Sequence, residues 1–309
     1  MKIIFFGTPE FSLKTLEVLD KHQEVVLVVT QPDKRKGRGK KLQMTPVKEY
    51  AAKAGIPVFQ PANINDSDSI SFIRGFNPDI AVVVAYGQIL NSQILDLPKL
   101  GCYNIHASLL PYYRGAAPIN SAIINGEKKT GVTIMKMDKG MDTGDILLSR
   151  EIPLNYTDTA ELLHDRLSIL GSEAILEAIE ILENGKVSFS SQNDEIATYA
   201  PKISKETGEI DWQMNAEKIR DLIRGLNPWP LAYTYVNGMK MKILEANYVE
   251  CQNNLPFGTF IEMRDRGFLV KTGDGCLTLK RIQFPNKKAM YSDEYARGHI
   301  IEPGTIFGK

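Results

Sequence analysis

Apolar positions in the first 186 residues fall into short continuous runs separated by amphipathic stretches. Residues 2–6 (KIIFF) are one such run, closed by Gly7-Thr8-Pro9. Residues 10–21 follow, with Phe11, Leu13, Leu16, Val18 and Leu19 including an apolar stripe at helical spacing. Residues 24–30 read as the next strand, and 57–59 and 79–85 as two more. The last of these is nearly all apolar, as a strand covered on both faces is. A helix is predicted to begin at Thr45-Pro46, with Thr as the cap and Pro at the first helical position. The β-α-β start predicts a parallel sheet with right-handed crossovers, hence an α/β, Rossmann-like unit over residues 1–186. Ligands of such sheets gather at the carboxyl ends of the strands. Gly7, Tyr86-Gly87 and residues 104–108 would lie there. The first turn, FFGTPEF, has one glycine where a dinucleotide turn needs three, so NAD is not expected.

Further along, 102–106 reads as a short buried strand that breaks at 108–111. Residues 117–125 read as a helix, 131–137 as a strand and 139–145 as a Gly-rich loop. After a short strand at 151–154, residues 157–183 form a long helical pattern. Asp158 and Glu161 have capping-box spacing there, and Gly171 is a candidate break. Residues 187–204 are polar and read as a linker. In 215–226, Ile219, Leu222, Ile223 and Leu226 share one face, while Lys218, Arg220 and Arg224 project elsewhere. Pro228 and Pro230 stop this helix. A hairpin built on Asn237-Gly238 and short runs at 258–262, 267–272 and 275–281 predict a small OB-like β-barrel over 205–309.

The 309 residues carry 37 basic and 37 acidic side chains, so the molecule as a whole is no polyanion binder. One stretch departs from that balance. Lys34, Arg35, Lys36, Arg38, Lys40 and Lys41 crowd around Gly37 and Gly39, a local place for phosphates or a solvated loop. Cys102, Cys251 and Cys276 show no CxxC spacing. Neither a disulfide framework nor a zinc site is expected, and a reducing compartment fits. No run approaches the roughly 20 apolar residues that span a bilayer. A cytoplasmic protein is the expectation.

Candidate chemistry centres on Asn104 and His106. Two residues apart on a strand, they face the same way. Asp142 and Asp145 follow on the Gly-rich loop as candidate carboxylates. A carboxamide donates without titrating, an imidazole moves a proton near neutral pH, and a carboxylate orients or charges the imidazole. No Ser or Cys nucleophile is needed if an external amine attacks a carbonyl directly. Spacing alone leaves a structural His106 and a turn-forming Asp142 as open alternatives. His22, His164 and His299 have no companions and read as structural.

The strings NIHASLLPYYRGAAP and TGVTIMKMDKGMDTGDIL closely resemble the folate-dependent formyltransferases, and the likeness runs over essentially the whole chain. The resemblance implies that Asn104, His106 and Asp142 are catalytic, with Asp142 preferred to Asp145. It implies that Ser108, Leu109, Leu110 and Pro111, with Tyr86, Gly87 and Ile89, surround the tetrahydrofolate. GRGKK resembles the loop by which the tRNA formyltransferases engage the acceptor stem of initiator tRNA. Arg38 would be a reading residue there, with Arg35, Lys36, Lys40 and Lys41 supplying attraction. The implied reaction moves the formyl group of 10-formyltetrahydrofolate, a co-substrate, to the α-amino group of methionine on initiator tRNA. Asn104 and His106 would hold the oxyanion, no metal would take part, and the enzyme would act as a monomer. Arg114 reads equally as a surface ion pair or a substrate contact. Lys240, Lys242, Lys271, Lys280, Arg281, Lys287 and Lys288 could form a stripe toward tRNA. Formyl transfer to a small amine, such as an aminosugar nucleotide, and a non-catalytic folate- or RNA-binding protein are the alternatives. Glycinamide-ribonucleotide formyltransferases share the catalytic strand but normally lack the second domain. That domain, GRGKK and ATYAPKISK favour tRNA.

Overall fold

The computed structural model of the protein describes residues 1–36 and 41–308. Its elements begin with β1 (Lys2–Gly7), α1 (Leu13–His22) after a 3-10 turn, and β2 (Glu24–Val29). A small ribbon, β3 (Lys34–Lys36) with β4 (Lys41–Gln43), precedes α2 (Pro46–Ala54). Then come β5 (Val58–Phe59), α3 (Ser67–Arg74), β6 (Ile80–Val84), α4 (Ser92–Leu95) and β7 (Cys102–His106). They are followed by β8 (Arg114–Gly115), α5 (Pro118–Ile124), β9 (Lys129–Lys136), β10 (Ile146–Pro153) and α6 (Ala160–Glu183). The chain divides into two units, the first comprising Met1–Gly115, Lys129–Ile152 and His164–Tyr199.

The first unit is built on a seven-stranded sheet in the order β10-β9-β7-β6-β1-β2-β5. β7-β6-β1-β2-β5 pair in parallel, and the β6 side chains are wholly buried, as its unbroken apolar run requires. β9 then runs antiparallel to β7, with His106 opposite Thr133 and Asn104 opposite Met135. Thr45 caps α2 by accepting from the Lys48 amide, with Pro46 at the first helical position. α6 differs from its expected pattern at two points. Thr159, not Asp158, accepts from the first-turn amide of Leu162, while Asp158 accepts from Asn155. Gly171 does not break the helix. It lets α6 approach β7, where a Cβ would stand 2.8 Å from Ile105 Cγ2. The strand that carries Asn104 and His106 is therefore seated on a helix through the residue between them. Residues 187–199, read as part of a linker, belong to this unit and bond to it through Gln192 and Thr198.

The second unit comprises Ala116–Lys128, Pro153–Leu163 and the chain from Ala200 onward. After β11 (Tyr199–Ala200) come α7 (Ala216–Gly225), β12 (Ala232–Val236) and β13 (Met239–Val249). The chain continues through β14 (Phe260–Arg264), β15 (Gly267–Lys271), β16 (Cys276–Gln283), β17 (Met290–Tyr291) and α8 (Ser292–Ala296). The strands form an antiparallel sheet in the order β12-β13-β16-β15-β14, with β17 beside β16. Asn237 and Gly238 turn β12 into β13 with φ of 49° and 74°, the left-handed pair that a two-residue hairpin needs. The core joins Ile219 and Ile223 of α7, and Leu226 just past its end, to Met241, Phe268 and Leu279 of the sheet.

Two expectations about this unit are corrected and one is sharpened. Arg220 and Arg224 lie off the apolar face of α7, as read, and there both are buried around Asp221. Lys271 is also buried and leaves the supposed basic stripe. Cys251 and Cys276 form a disulfide, with Cα atoms 5.8 Å apart. Val249 pairs with Cys276 across the sheet, so Cys251, two residues on, falls beside it, a register that the cysteine spacing did not disclose. Cys102 remains a buried thiol, which burial pushes up to about 12.

Candidate active site

Two-residue periodicity sets Asn104 and His106 on one face of β7. His106 is buried, and its Nε2 lies 2.9 Å from the Tyr113 carbonyl oxygen. A carbonyl only accepts, so Nε2 carries a hydrogen and donates it. Nδ1 then faces Asp142 Oδ2 at 3.6 Å. Asp142 Oδ2 also accepts from the Gly115 amide at 2.8 Å. Asn104 is half-buried, and among the described residues nothing hydrogen-bonds its carboxamide. Its carboxamide is a donor left open on the same face of β7 as His106.

Asp142 reaches this place by an unexpected route. A parallel β9 would end beside His106 and deliver its loop there directly. Because β9 is antiparallel, its loop instead departs where β7 begins, with the Met137 amide on the Cys102 carbonyl at 2.8 Å. The loop folds back on itself. Asp138 Oδ1 accepts from the Gly140 amide at 2.9 Å and from Thr143 Oγ1 at 2.8 Å. Gly144 is obligatory, since any Cβ there would collide with the Lys136 carbonyl. Asp142 itself has φ of 55°, a left-handed conformation that Asp tolerates better than most residues. Asp145 is exposed, and its carbonyl accepts from the Lys136 amide.

The turn after His106 is pinned from inside. Thr133 Oγ1 accepts from the Leu110 amide and donates to the Ser108 carbonyl at 2.7 Å. Ser108 is buried and donates to the Tyr112 carbonyl at 2.6 Å. Pro111 follows a cis peptide, Leu110 is buried and Leu109 half-buried. At the end of β6, the Tyr86 ring turns into the core against Phe6, and burial pushes its phenol up. Only its backbone remains toward the turn, where Thr8 Oγ1 donates to the Tyr86 carbonyl. Gly87 is exposed with φ of 92°, and the Ile89 side chain is 80% exposed. Gln31 adjoins Gly87, and its Nε2 is buried with no partner among the described residues.

Sequence reasoning missed Tyr113, Gly115, Thr133 and Gln192. The Gln192 amide nitrogen donates to the carbonyls of Asp142 and Gly144. Nothing in the polar 187–204 stretch marks it out. Arg114 proves to be neither surface group nor free contact: it is 2% exposed and bonds Gln192 and Asp194.

In the basic segment, β3 and β4 pair antiparallel, with Lys34 opposite Gln43, Arg35 opposite Leu42 and Lys36 opposite Lys41. Lys34 and Arg35 are exposed. Arg38 and Lys40 lie outside the described residues, as do the side chains of Lys36 and Lys41. The ribbon rises from Asp33, which accepts from Lys48 Nζ at 2.6 Å and Gln60 Nε2 at 2.8 Å. Those hydrogen bonds hold the Asp33 carboxyl below the usual range, the Lys48 bond most strongly. A cavity of about 840 Å³ is lined by Gly101, Cys102, Lys136 and 137–140, and includes none of Asn104, His106 or Asp142. Among the described residues no three metal-ligating side chains converge, and no helix is long and apolar enough to cross a membrane.

Residues 1–179 match the formyl transferase family, and residues 202–300 match the formyl transferase C-terminal domain. The chain is 48% identical over 309 residues to the methionyl-tRNA formyltransferase of Clostridioides difficile (strain 630), covering all of both chains. It is 50% identical over 307 residues to that of Clostridium tetani (strain Massachusetts / E88), covering 99% of each. Among solved structures, an N-formyltransferase from Helicobacter canadensis, in complex with folinic acid and dTDP-3-aminofucose, superposes with a TM-score of 0.65. That match has 21% identity and covers 92% of this chain and 99% of the other. With the pair and its carboxamide in place and both family domains matched, the chain belongs to the formyl transferases.

Proposed function

We propose that this chain transfers the formyl group of 10-formyltetrahydrofolate to the α-amino group of methionine on initiator tRNA, giving N-formylmethionyl-tRNA. The observation that carries this reading is the His106–Asp142 pair beside the open Asn104 carboxamide, in a chain similar over its whole length to methionyl-tRNA formyltransferases. The folate supplies a formyl group on nitrogen that an amine can attack. The residues present fit such a ligand. The unpartnered Gln31 Nε2 beside Gly87 suits a polar heterocycle, and the exposed Ile89 offers it an apolar edge. The turn at 108–111 completes the surround in this reading.

Attack by a neutral amine puts negative charge on the formyl oxygen, and Asn104 is the donor free to meet it. His106 has a different task, because its one N–H is already given away and its other nitrogen points at a carboxylate. With Nε2–H given to Tyr113, the bare Nδ1 faces the Asp142 carboxylate, two acceptors 3.6 Å apart. A proton from the attacking amine completes a hydrogen bond between them. Returned to the departing folate nitrogen, it leaves both groups as they began. The task of His106 is therefore to move a proton, while Asn104 alone holds the oxyanion.

The tRNA contact belongs to the same proposal. Residues 1–186 carry the chemistry with 187–199 bonded to them, 200–204 lead onward, and 205–309 bind tRNA. The basic ribbon meets the acceptor stem, with Arg38 reading it and Arg35, Lys36, Lys40 and Lys41 attracting phosphates. The enzyme acts as a monomer in the cytoplasm. The exposure of Lys34 and Arg35 supports the ribbon's part. The test uses labelled formyl donor with charged initiator tRNA beside elongator Met-tRNA. Initiator tRNA is expected to react faster. Arg35→Ala should lower kcat/KM and flatten its salt dependence by about one phosphate contact. Equal rates on both tRNAs and on a free amine would overturn the tRNA assignment, and no transfer at all would overturn the reaction.

A further inference from the structure

The three consecutive residues 113–115 each hold a different part of the candidate site. The Tyr113 carbonyl accepts from His106 Nε2 at 2.9 Å, and the Gly115 amide donates to Asp142 Oδ2 at 2.8 Å. Between them, Arg114 Nε and Nη2 donate to Gln192 Oε1 at 3.1 and 2.8 Å. Nη2 also donates to Asp194 Oδ1 at 2.7 Å. The Gln192 amide nitrogen, in turn, donates to the Asp142 carbonyl at 2.9 Å and the Gly144 carbonyl at 2.7 Å. A guanidinium can only donate and a backbone carbonyl can only accept, so the Gln192 amide has one possible orientation, and all four of its hydrogen-bonding positions are used. Thr198 ties the segment down from the same strand of chain. Its Oγ1 accepts from the Tyr113 amide at 2.9 Å, and its carbonyl accepts from the Arg114 amide at 2.8 Å.

We propose that Gln192 is a positioning residue for formyl transfer, oriented by Arg114, and that it holds the Asp142 loop so that the carboxylate faces His106. The inference rests on the reading of Asp142 as catalytic. Three features make a passive role insufficient. Asp142 sits in a left-handed conformation that a free loop would leave. The only side chain that bridges the carbonyls of residues 142 and 144 is that of Gln192, among the described residues. Arg114 is almost fully buried, though Asp194, its charged partner, is 79% exposed. A surface ion pair does not need that burial, whereas a rigid bridge from 113–115 to the loop does. Arg114 thus couples the His106 support to the Asp142 support, and one movement would misplace both.

The test is a cycle of single-turnover formylation rates on folded protein: wild type, Gln192→Met, Asp142→Ala and the double variant. Gln192→Met keeps length and volume but has no donors. We expect it to lower the rate by about tenfold to a hundredfold, the usual effect of loosening an outer support or shifting a reacting group by an ångström. KM for tRNA should change by less than about threefold, since every hydrogen-bonding position of the Gln192 amide is taken by protein groups. In the Asp142→Ala background the same substitution should cost almost nothing, because its effect passes through Asp142. A full additional loss in that background, or a wild-type rate for Gln192→Met while Asp142→Ala is slow, would overturn the positioning role. A fast Asp142→Ala would instead overturn the catalytic reading. Should Gln192→Met fail to fold, Arg114→Lys enters the same cycle. It keeps the charge but cannot give two hydrogen bonds to Oε1, and a smaller loss that again vanishes with Asp142→Ala is expected. A loss that persists there overturns the proposal.

Discussion

Each unit buries arginine, and each satisfies it differently. In the first unit, Arg114 directs Nε and Nη2 to one neutral amide and one exposed carboxylate, and none of its nitrogens is buried without a partner. In the second, Arg220 and Arg224 share a single oxygen, Asp221 Oδ1, at 2.7 to 3.0 Å. Arg224 Nη1 donates to the carbonyls of Asn155 and Asp158, which fixes the loop before α6. The Arg220 guanidinium lies 3.6 Å from the centroid of the Tyr156 ring, yet its Nη1 is buried and, among the described residues, unpartnered. Two positive charges thus surround one negative charge, all out of water. A buried cluster of this kind stabilises only while every partner is present. The first cluster is a link to the Asp142 loop; the second is a packing device with a surplus charge.

That contrast gives the largest expected effect. Asp221→Ala would leave two buried guanidinium groups without their shared acceptor. Breaking such a pair from one side costs about 3–5 kcal/mol, so chemical denaturation should show a loss of that size. The protein that remains folded should formylate at the wild-type rate. A change under about 1 kcal/mol would mean that water reaches the cluster.

Next in size comes His106→Ala, which acts on the other side of the comparison. Removing a positioned proton carrier lowers rates by about 10²–10⁴-fold. Single-turnover formylation should fall by that much, while the melting temperature moves little. A loss confined to KM would place His106 in binding, and a stability loss like that of Asp221→Ala would make it a core residue.

These two clusters also mark where sequence reading stops. The strands of the first sheet, the Thr45-Pro46 helix start and the Asn237-Gly238 hairpin are local signals, each complete within a few residues. Asn104 and His106 on one face follow from the strand period alone. What joins Asp142 to them does not. It depends on β9 reversing direction, on Gly144 lying under the Lys136 carbonyl, and on Gln192, which is 50 residues beyond the carbonyl that it holds. Arg220 and Arg224 lie off the apolar stripe of α7, on another face. They are buried because residues 155 to 158, more than 60 positions earlier, cover them. Helical periodicity reports which side chains are apolar, and it carries no information about which polar ones a distant loop will enclose. The Cys251–Cys276 pair is the same lesson in a sheet, since register, not spacing, brings the thiols together.

The smallest effect is the most discriminating. Arg220→Met removes the surplus charge and its orphaned Nη1, leaving Asp221 and Arg224 as a neutral pair at 2.8 Å. Burial is the largest single influence on Arg220 and opposes its charge, but the hydrogen bonds and charge interactions with Asp221 and Tyr156 together exceed it and hold the guanidinium pKa above its ordinary value. The substitution forfeits that bond and the stacking on Tyr156, about 0.5–2 kcal/mol for the latter. It also relieves the desolvation of a charge with one unmet donor, which is of similar or larger size. The two nearly cancel, so stability measured by chemical denaturation should stay within about 1 kcal/mol of wild type. That outcome beside a large loss for Asp221→Ala would establish that the acid organises the cluster and the outer arginine is surplus. If Arg220→Met instead loses as much as Asp221→Ala, the guanidinium stack on Tyr156 is what fixes the loop. The second cluster would then resemble the first, with a buried arginine holding a segment of chain in place.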